Sequence, residues 1–218
     1  MKRQTIALLG GTGLLAVFLI AGFIYKSQQA QRLEGIAQAS YAYSPLEREH
    51  SARKGSADAK VVLVEFFDPA CETCRVFSKF VDQILTSHPG KVRLVLRYAP
   101  LHQGSGTMVR ILEAAKLQGK YWETLQVMYE TQPHWASHHH PQPEKIWQFL
   151  PSAGVDIDRI RIDMNRPQAQ QALAQDIADG ATLGVRKTPQ FFVNGKPLVS
   201  FGFQQLQALV ESEVAAQY

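Results

Sequence analysis

The sequence predicts an α/β fold built on a strand, a helix and a second strand in that order. KVVLVEFF (60–67) is an unbroken run of β-branched, aliphatic and aromatic residues, which is typical of a strand buried on both faces of a sheet. Residues 71–86 carry apolar side chains at helical spacing, and KVRLVLRYAP (91–100) is a second strand ended by Pro100. Elements in this order form a right-handed βαβ unit with parallel strands.

A long helical segment and a hairpin follow this unit. From Ser105 to about Leu183 the chain shows successive helical patterns separated by glycine or proline. PQFFVNGKPLVSF (189–201) predicts two short strands around Asn194-Gly195, a pair typical of a type I′ turn. An amphipathic helix over about 203–216 closes the chain.

The N-terminus predicts a membrane anchor over 1–26. Thr5 to Tyr25 carries no charge, and as a helix it would span roughly 30 Å at about 1.5 Å per residue, enough to cross a bilayer. Lys2 and Arg3 precede it and favour a cytoplasmic N-terminus. The alternatives are a buried core helix and a cleaved signal peptide. Against cleavage, the apolar run is long and the nearest small-residue site, AQA at 37–39, is remote.

The composition of the remaining chain indicates a stalk followed by one folded domain. Residues 27–56 are polar and rich in Gln, Ala and Ser, which indicates a stalk that is helical at first and broken near Pro45. The folded domain is expected over 57–218. Of the 23 basic residues, three lie in the anchor, which leaves 20 against 19 acidic residues. This balance excludes the basic footprint of a nucleic-acid-binding protein.

Cys71 and Cys74 are the only cysteines of the chain, and they lie where the first predicted strand passes into the helix. With the anchor or with the signal peptide, they face an oxidising compartment. A disulfide between them would enclose only two residues and remove little chain entropy. Reversible thiol chemistry therefore explains the pair better than a structural staple or a pair that is merely buried and reduced.

Three motifs in a fixed order give the chain a resemblance to a known family. They are EFFDPACETC after a strand, EAAKLQGKYWETL at the head of the helical segment, and VRKTPQFFVNG before the hairpin. Over roughly residues 56–216 the chain resembles the thioredoxin fold and, within it, the DsbA-like disulfide oxidoreductases, in a membrane-anchored form. The resemblance implies a helical insertion, about 103–184, between the βαβ unit and a cis-proline hairpin.

The resemblance and the helix start together assign the two sulfurs. Cys71 is expected to be the nucleophile, because the unpaired N–H groups and the dipole of a helix N-terminus stabilise a thiolate. Cys74, one turn further along, would resolve the mixed disulfide. Glu72 and Thr73 tune the pair: Thr73 replaces the histidine of strongly oxidising relatives, and the Glu72 charge disfavours the thiolate. The pKa of Cys71 should therefore be lowered, but less than in the strongest oxidants.

Several neighbours complete the predicted site. An inward-pointing Asp68 would also disfavour the thiolate, and Arg75 would partly offset the effects of both Glu72 and Asp68. Glu65 matches a buried acid of the family, whose raised pKa would let it relay protons to Cys74; the alternative is a salt bridge to Arg97.

The resemblance also implies a substrate-binding element at Thr188 and Pro189. A cis bond before Pro189 would turn the backbone of Thr188 towards an extended substrate segment. The alternative is an ordinary trans proline at the start of a strand.

His134, His138, His139 and His140 suggest a metal site, but no cysteine or carboxylate accompanies them. We expect a solvated loop within the insertion and no metal, with copper or zinc as the alternative. Trp122 and Trp147 are expected to lie in the core of the insertion.

These observations leave three hypotheses for function. The first is a membrane-anchored thiol:disulfide oxidoreductase that acts on protein thiols and disulfides at the periplasmic side, or in the periplasm after signal cleavage. It would need no cofactor, since the dithiol stores two electrons, but an unidentified redox partner must reset it. The second is an isomerase or reductase of the same fold, dimerised through the stalk. The third, from a different class, is a metal-handling or chaperone-like module.

Overall fold

The structure is a computed structural model that describes residues 20–28, 45–136 and 142–218. Residues 20–28 form a helix (α1), and within the described ranges no helix is long and apolar enough to cross a bilayer. Most of the predicted anchor and the first part of the predicted stalk lie outside the described residues. Pro45–Tyr218 forms a compact unit of its own.

A five-stranded mixed sheet forms the centre of this unit, with the strands in the order β1-β3-β2-β4-β5. Its central strands are parallel and in register from Val61↔Val92 to Phe67↔Tyr98, which confirms the predicted βαβ unit. The strands are β1 (Ala52–Gly55), β2 (Val61–Phe67), β3 (Val92–Tyr98), β4 (Gln190–Val193) and β5 (Lys196–Pro197), and α2 (Glu72–Ser87) connects β2 to β3.

The hairpin between β4 and β5 turns at the predicted pair. Asn194 and Gly195 both have positive φ, 47° and 82°, as a type I′ turn requires. The Asn194 side chain also accepts a hydrogen bond from the Val62 N–H at 2.8 Å, which ties the turn to β2.

The start of the folded unit differs from the predicted boundary at residue 57. Residues 45–56 belong to the compact unit, and β1 pairs antiparallel with β3. Arg53 and Lys54 are exposed on this edge strand, so its sequence is as polar as that of a stalk. Charged side chains are common on sheet edges because they discourage pairing with other chains.

The predicted helical insertion is present between β3 and β4. Its described residues form four α-helices and two short 3₁₀ helices, and a last helix follows the hairpin. The helices are α3 (Ser105–Leu117), α4 (Tyr121–Trp135), α5 (Ile157–Asp163), α6 (Pro167–Thr182) and α7 (Phe203–Gln217), with 3₁₀ turns at Pro143–Gln148 and Leu150–Ala153. Trp122 and Trp147 border the core and are only partly buried, whereas Trp135 is the fully buried tryptophan among the described residues.

The two faces of the sheet bury different side chains. Alternate residues of a strand face opposite sides, so Leu63 and Phe67 pack in the larger core with α2 and α7, and Val64 and Phe66 pack in a smaller core. Glu65 therefore lies on the face of the larger core.

A buried ion network occupies the opposite face. Arg97 is fully buried, and its Nη2 lies 2.8 Å from Asp176 and 2.6 Å from Asp179, both on α6. Arg48 contacts Asp179 at 2.7 Å, and His50 contacts Asp176 at 2.6 Å. The network therefore fastens the segment before β1 to α6, which explains why this polar segment is part of the domain.

Candidate active site

The two cysteines lie at the junction of β2 and α2, as predicted. Cys71 is the N-cap of α2, with extended backbone angles (φ −77°, ψ 118°). Its N–H donates to the Asp68 carbonyl at 3.0 Å, and its carbonyl accepts from the Arg75 N–H at 3.2 Å. Both thiols are free. Cys71 retains 6% exposure and Cys74 none, so only the first sulfur is open to an incoming group.

The pKa of Cys71 is lowered to about 5, and the direct cause is its partner cysteine. The largest contribution is a hydrogen bond from the Cys74 thiol, followed among the stabilising ones by the Thr188 side chain and the backbone N–H groups of Cys74 and Thr73, while burial opposes the shift. The predicted direction is confirmed. The helix start contributes through those two N–H groups, but the sequence analysis missed the larger role of the Cys74 thiol.

Cys74 shifts in the opposite direction. Burial raises its pKa well above the usual value, and the hydrogen bond to Cys71 and the charge of Glu65 add to this. One bond thus favours the thiolate at Cys71 and the thiol at Cys74. The pair therefore consists of one reactive thiolate, at Cys71, and one thiol that keeps its proton, at Cys74.

The neighbouring residues of the motif are on the surface. Glu72 and Thr73 are both exposed in the first turn of α2. Thr73 acts on Cys71 through its backbone N–H. Asp68 does point inward, but its carboxylate is surrounded by hydrogen-bond donors, so its charge is largely compensated.

The Thr188–Pro189 bond is cis, as the resemblance implied. The carbonyl of Thr188 lies 3.3 Å from the Cys71 sulfur, which donates to it when protonated. Pro189 is buried and Thr188 is half-buried. The structure thus brings together two segments that are 117 residues apart in the chain.

Glu65 is buried on the same face of the sheet as Cys74. It is 3% exposed, and its Oε1 has no hydrogen-bond partner. Burial raises the pKa of Glu65 to about 8, and the charges of Cys71 and Asp82 add to the shift. The alternative of a Glu65–Arg97 salt bridge is wrong, because Glu65 pairs with Leu96 in register and Arg97 faces the other side.

A cavity of about 480 Å³ adjoins Glu65 between α2 and α4. Its wall includes Tyr129, whose burial among the cysteines and Glu65 raises its own pKa. Charged side chains surround the remainder, among them Lys54, Arg75, Lys79 and Asp82. The cavity therefore brings water to the side chain of Glu65.

The histidines contribute no ligand set within the described residues. His134 is exposed in the last turn of α4, where its ring stacks on Phe149 at 5.6 Å between centroids. It lies on a helix, not in the loop predicted for it. His138, His139 and His140 lie outside the described residues. Among those described, no group of His, Cys, Asp and Glu could hold a metal ion.

Sequence comparison agrees with this geometry. A family model described as Thioredoxin matches residues 47–212. The chain belongs to the thioredoxin family. Within this thioredoxin family, a thioredoxin-like oxidoreductase from Silicibacter pomeroyi DSS-3 is 28% identical and superposes with a TM-score of 0.66 over 78% of this chain and 94% of its own.

A second structure and a curated relative extend the comparison of this thioredoxin-family chain. The thiol-disulfide exchange protein alpha-DsbA2 from Wolbachia pipientis has the same fold at 20% identity, with a TM-score of 0.65 over 84% of this chain and 97% of its own. The resemblance to DsbA-like proteins is thus confirmed in the fold. The Na(+)/H(+) antiporter NhaA of Herminiimonas arsenicoxydans is 27% identical over 169 residues, 77% of this chain. The chain spans about a quarter of that antiporter's length (26%).

The contribution of the Cys74 thiol to the Cys71 thiolate can be measured directly. Replacing Cys74 by Ala removes the donor, so the pKa of Cys71 should rise by roughly 1–2 units. Cys74→Ser keeps a hydroxyl donor and should retain most of the lowering. The pKa is read from the thiolate ultraviolet absorbance of each reduced variant against pH. Equal pKa values near 5 in both variants would show that Cys74 is not the cause.

Proposed function

We propose that the protein is a DsbA-like thiol:disulfide oxidoreductase that passes a Cys71–Cys74 disulfide to proteins outside the cytoplasm. The observation that carries the proposal is the unequal pair, with the pKa of Cys71 near 5 and that of Cys74 raised. A sulfur that is ionised at neutral pH is a good leaving group, and a stabilised thiolate favours the reduced form of the pair. Both effects favour oxidation of the substrate over its reduction.

The reaction follows from the two sulfurs. A substrate thiolate attacks the Cys71 sulfur of the oxidised site, and the electron pair of the broken Cys71–Cys74 bond stays on Cys74. A second substrate thiolate then attacks the substrate sulfur of the mixed disulfide, and Cys71 leaves as a thiolate. The substrate has lost two electrons, which the site now holds as one thiol and one thiolate. A redox partner outside this chain must remove them again.

In this reaction, Glu65 is assigned the role of proton donor to Cys74. Because its pKa is about 8, it is protonated at neutral pH and can supply the proton that Cys74 takes up as the disulfide breaks. Glu65 is left as a carboxylate, and water in the adjoining cavity can return the proton.

Thr188 and Pro189 are assigned to substrate binding. The Thr188 carbonyl lies beside the Cys71 sulfur, where the backbone of an extended segment could pair with it as an added strand. Pro189 has no N–H that would compete for that segment. Glu72 and Thr73, exposed beside Cys71, would then face the substrate and tune the site.

The compartment is part of the proposal. The uncharged run from Thr5 to Tyr25, preceded by Lys2 and Arg3, supports a single-pass anchor with the domain on the periplasmic side. The low pKa of Cys71 fits an oxidising space, where a disulfide persists.

Disulfide transfer is tested with the oxidised full-length protein and a reduced peptide that carries two cysteines. The wild type should convert the peptide to its disulfide form, with mass spectrometry as the measurement. Cys71→Ser should abolish transfer, and reduced Cys74→Ala, offered the oxidised peptide, should accumulate a mixed disulfide because no second sulfur resolves it. A wild type that leaves the peptide thiols unchanged would refute the proposal. Reduction of oxidised peptide in preference to oxidation would favour a reductase.

The role of Glu65 has a distinct pH signature. After correction for ionisation of the substrate thiol, the wild-type rate should fall as the pH passes about 8, because Glu65 then loses the proton that it donates. Glu65→Gln should react about 10²-fold more slowly and without this fall. Glu113→Gln, a glutamate on α3 outside the site, serves as the control. A Glu65→Gln rate equal to that of the wild type would exclude the relay.

Membrane anchoring is tested by fractionation of bacterial cells that express the full-length protein. The protein should remain in the membrane pellet after an alkaline carbonate wash. Once an impermeant phosphine has reduced the site, an impermeant maleimide should label Cys71 from the periplasmic side. The double variant Leu14→Arg, Val17→Arg should leave the membrane, since each charge at the centre of a span costs about 2.5–3.5 kcal/mol. Wild-type protein in the soluble cytoplasmic fraction would contradict the anchor.

A further inference from the structure

Asp68 is a fully buried carboxylate three residues before Cys71. Five hydrogen-bond donors converge on its two oxygens at 2.5–2.9 Å: the N–H groups of Ala70, Leu101 and His102, the His102 Nδ1 and the Ser105 hydroxyl. Because a carboxylate only accepts, His102 must donate through Nδ1. So many donors around one buried side chain hold both of its oxygens in a fixed position.

The side chain of Asp68 shapes the turn that ends in Cys71. Its Oδ1 accepts from the Ala70 N–H at 2.8 Å, an Asx turn, and its backbone carbonyl accepts from the Cys71 N–H at 3.0 Å. These two bonds fix the backbone between β2 and α2. The position of the Cys71 sulfur relative to Cys74 and Thr188 therefore depends on this turn.

The other donors come from a segment far along the chain. Leu101 and His102 follow β3, and Ser105 begins α3, so Asp68 binds the turn to the start of the helical insertion. From α4, the Gln132 amide donates to the carbonyls of Pro69 and Cys71 at 2.9 and 3.1 Å. The insertion thus holds the turn from two helices.

We infer that Asp68 is a positioning residue for Cys71, with His102 as its supporting donor. The inference rests on the proposed thiol exchange and deepens it: Asp68 holds the nucleophile where Cys74, Thr188 and the N–H groups of α2 stabilise the thiolate. It assigns the insertion a part in setting the reactivity of Cys71, in addition to covering the sheet.

The two possible roles of Asp68, as a negative charge or as a positioning residue, predict opposite shifts in the pKa of Cys71 when Asp68 is neutralised. If Asp68 acted only as a negative charge near Cys71, neutralising it would stabilise the thiolate and lower the pKa of Cys71. If Asp68 positions Cys71, Asp68→Asn presents an amide N–H₂ to donors that need an acceptor. The turn then loosens, and the pKa of Cys71 rises. The sign of the shift therefore separates the two roles.

The test compares the full-length variants Asp68→Asn and Asp163→Asn with the wild type. Asp163 is a suitable control because it is a buried carboxylate on α5 held by Arg159 and Arg166, at 2.8 and 2.6 Å. For Asp68→Asn we expect the pKa of Cys71 to rise by about one unit, a tenfold loss of thiolate at low pH, with slower peptide oxidation. Asp163→Asn should change neither the pKa of Cys71 nor the rate of peptide oxidation. A fall of the pKa in Asp68→Asn, or the same rise in both variants, would overturn the inference.

Substitutions at His102 keep the test decisive if Asp68→Asn does not fold. His102 is only half-buried, so its variants preserve the core. His102→Ala should raise the pKa of Cys71 in the same direction, whereas His102→Asn, whose amide takes the place of Nδ1 as a donor, should restore it. No shift in His102→Ala, or no rescue by His102→Asn, would overturn the supporting role. If the wild type itself performs no exchange, the proposed function fails, whereas these pKa shifts still decide the inference.

Discussion

The hydrogen bond between the Cys74 thiol and the Cys71 sulfur is the interaction on which the site depends. Burial alone would raise the pKa of both sulfurs. This bond instead lowers the pKa of Cys71 and raises that of Cys74, and so two similar groups differ in protonation state at neutral pH. The turn before α2 and the cis-proline segment both contact Cys71, through the Asp68 carbonyl and the Thr188 carbonyl.

The central sheet separates two buried ionisable side chains that could otherwise form an ion pair. Glu65 and Arg97 lie on neighbouring strands, yet the alternation of side chains directs them to opposite faces. Arg97 is compensated by Asp176 and Asp179, whereas Glu65 forms no ion pair within the described residues and has a raised pKa. The two-residue period of a β-strand thus keeps a buried acid with a raised pKa on the same face of the sheet as Cys74.

Local patterns in the sequence encode much of this fold. Periodicity and motifs predicted the βαβ unit, the helical insertion, the hairpin at Asn194-Gly195 and the position of both cysteines. β1 was missed because an exposed edge strand such as Arg53-Lys54 has the composition of a linker. The environment of Asp68 was beyond prediction, since four of its five donors lie 33–37 residues away and a single sequence does not specify such contacts. The sequence allowed an inward-pointing Asp68 to be considered, but it did not identify the five donors around that side chain.

The shallow recess of Cys71 bears on which substrates the proposed exchange would favour. Cys71 keeps 6% of its surface exposed, and the Thr188 carbonyl lies beside its sulfur. A substrate cysteine held below the surface of a rigid, folded protein would not reach a sulfur so recessed, whereas one on an extended, flexible segment would. Under the proposed function, the site would therefore act preferentially on proteins that have not finished folding.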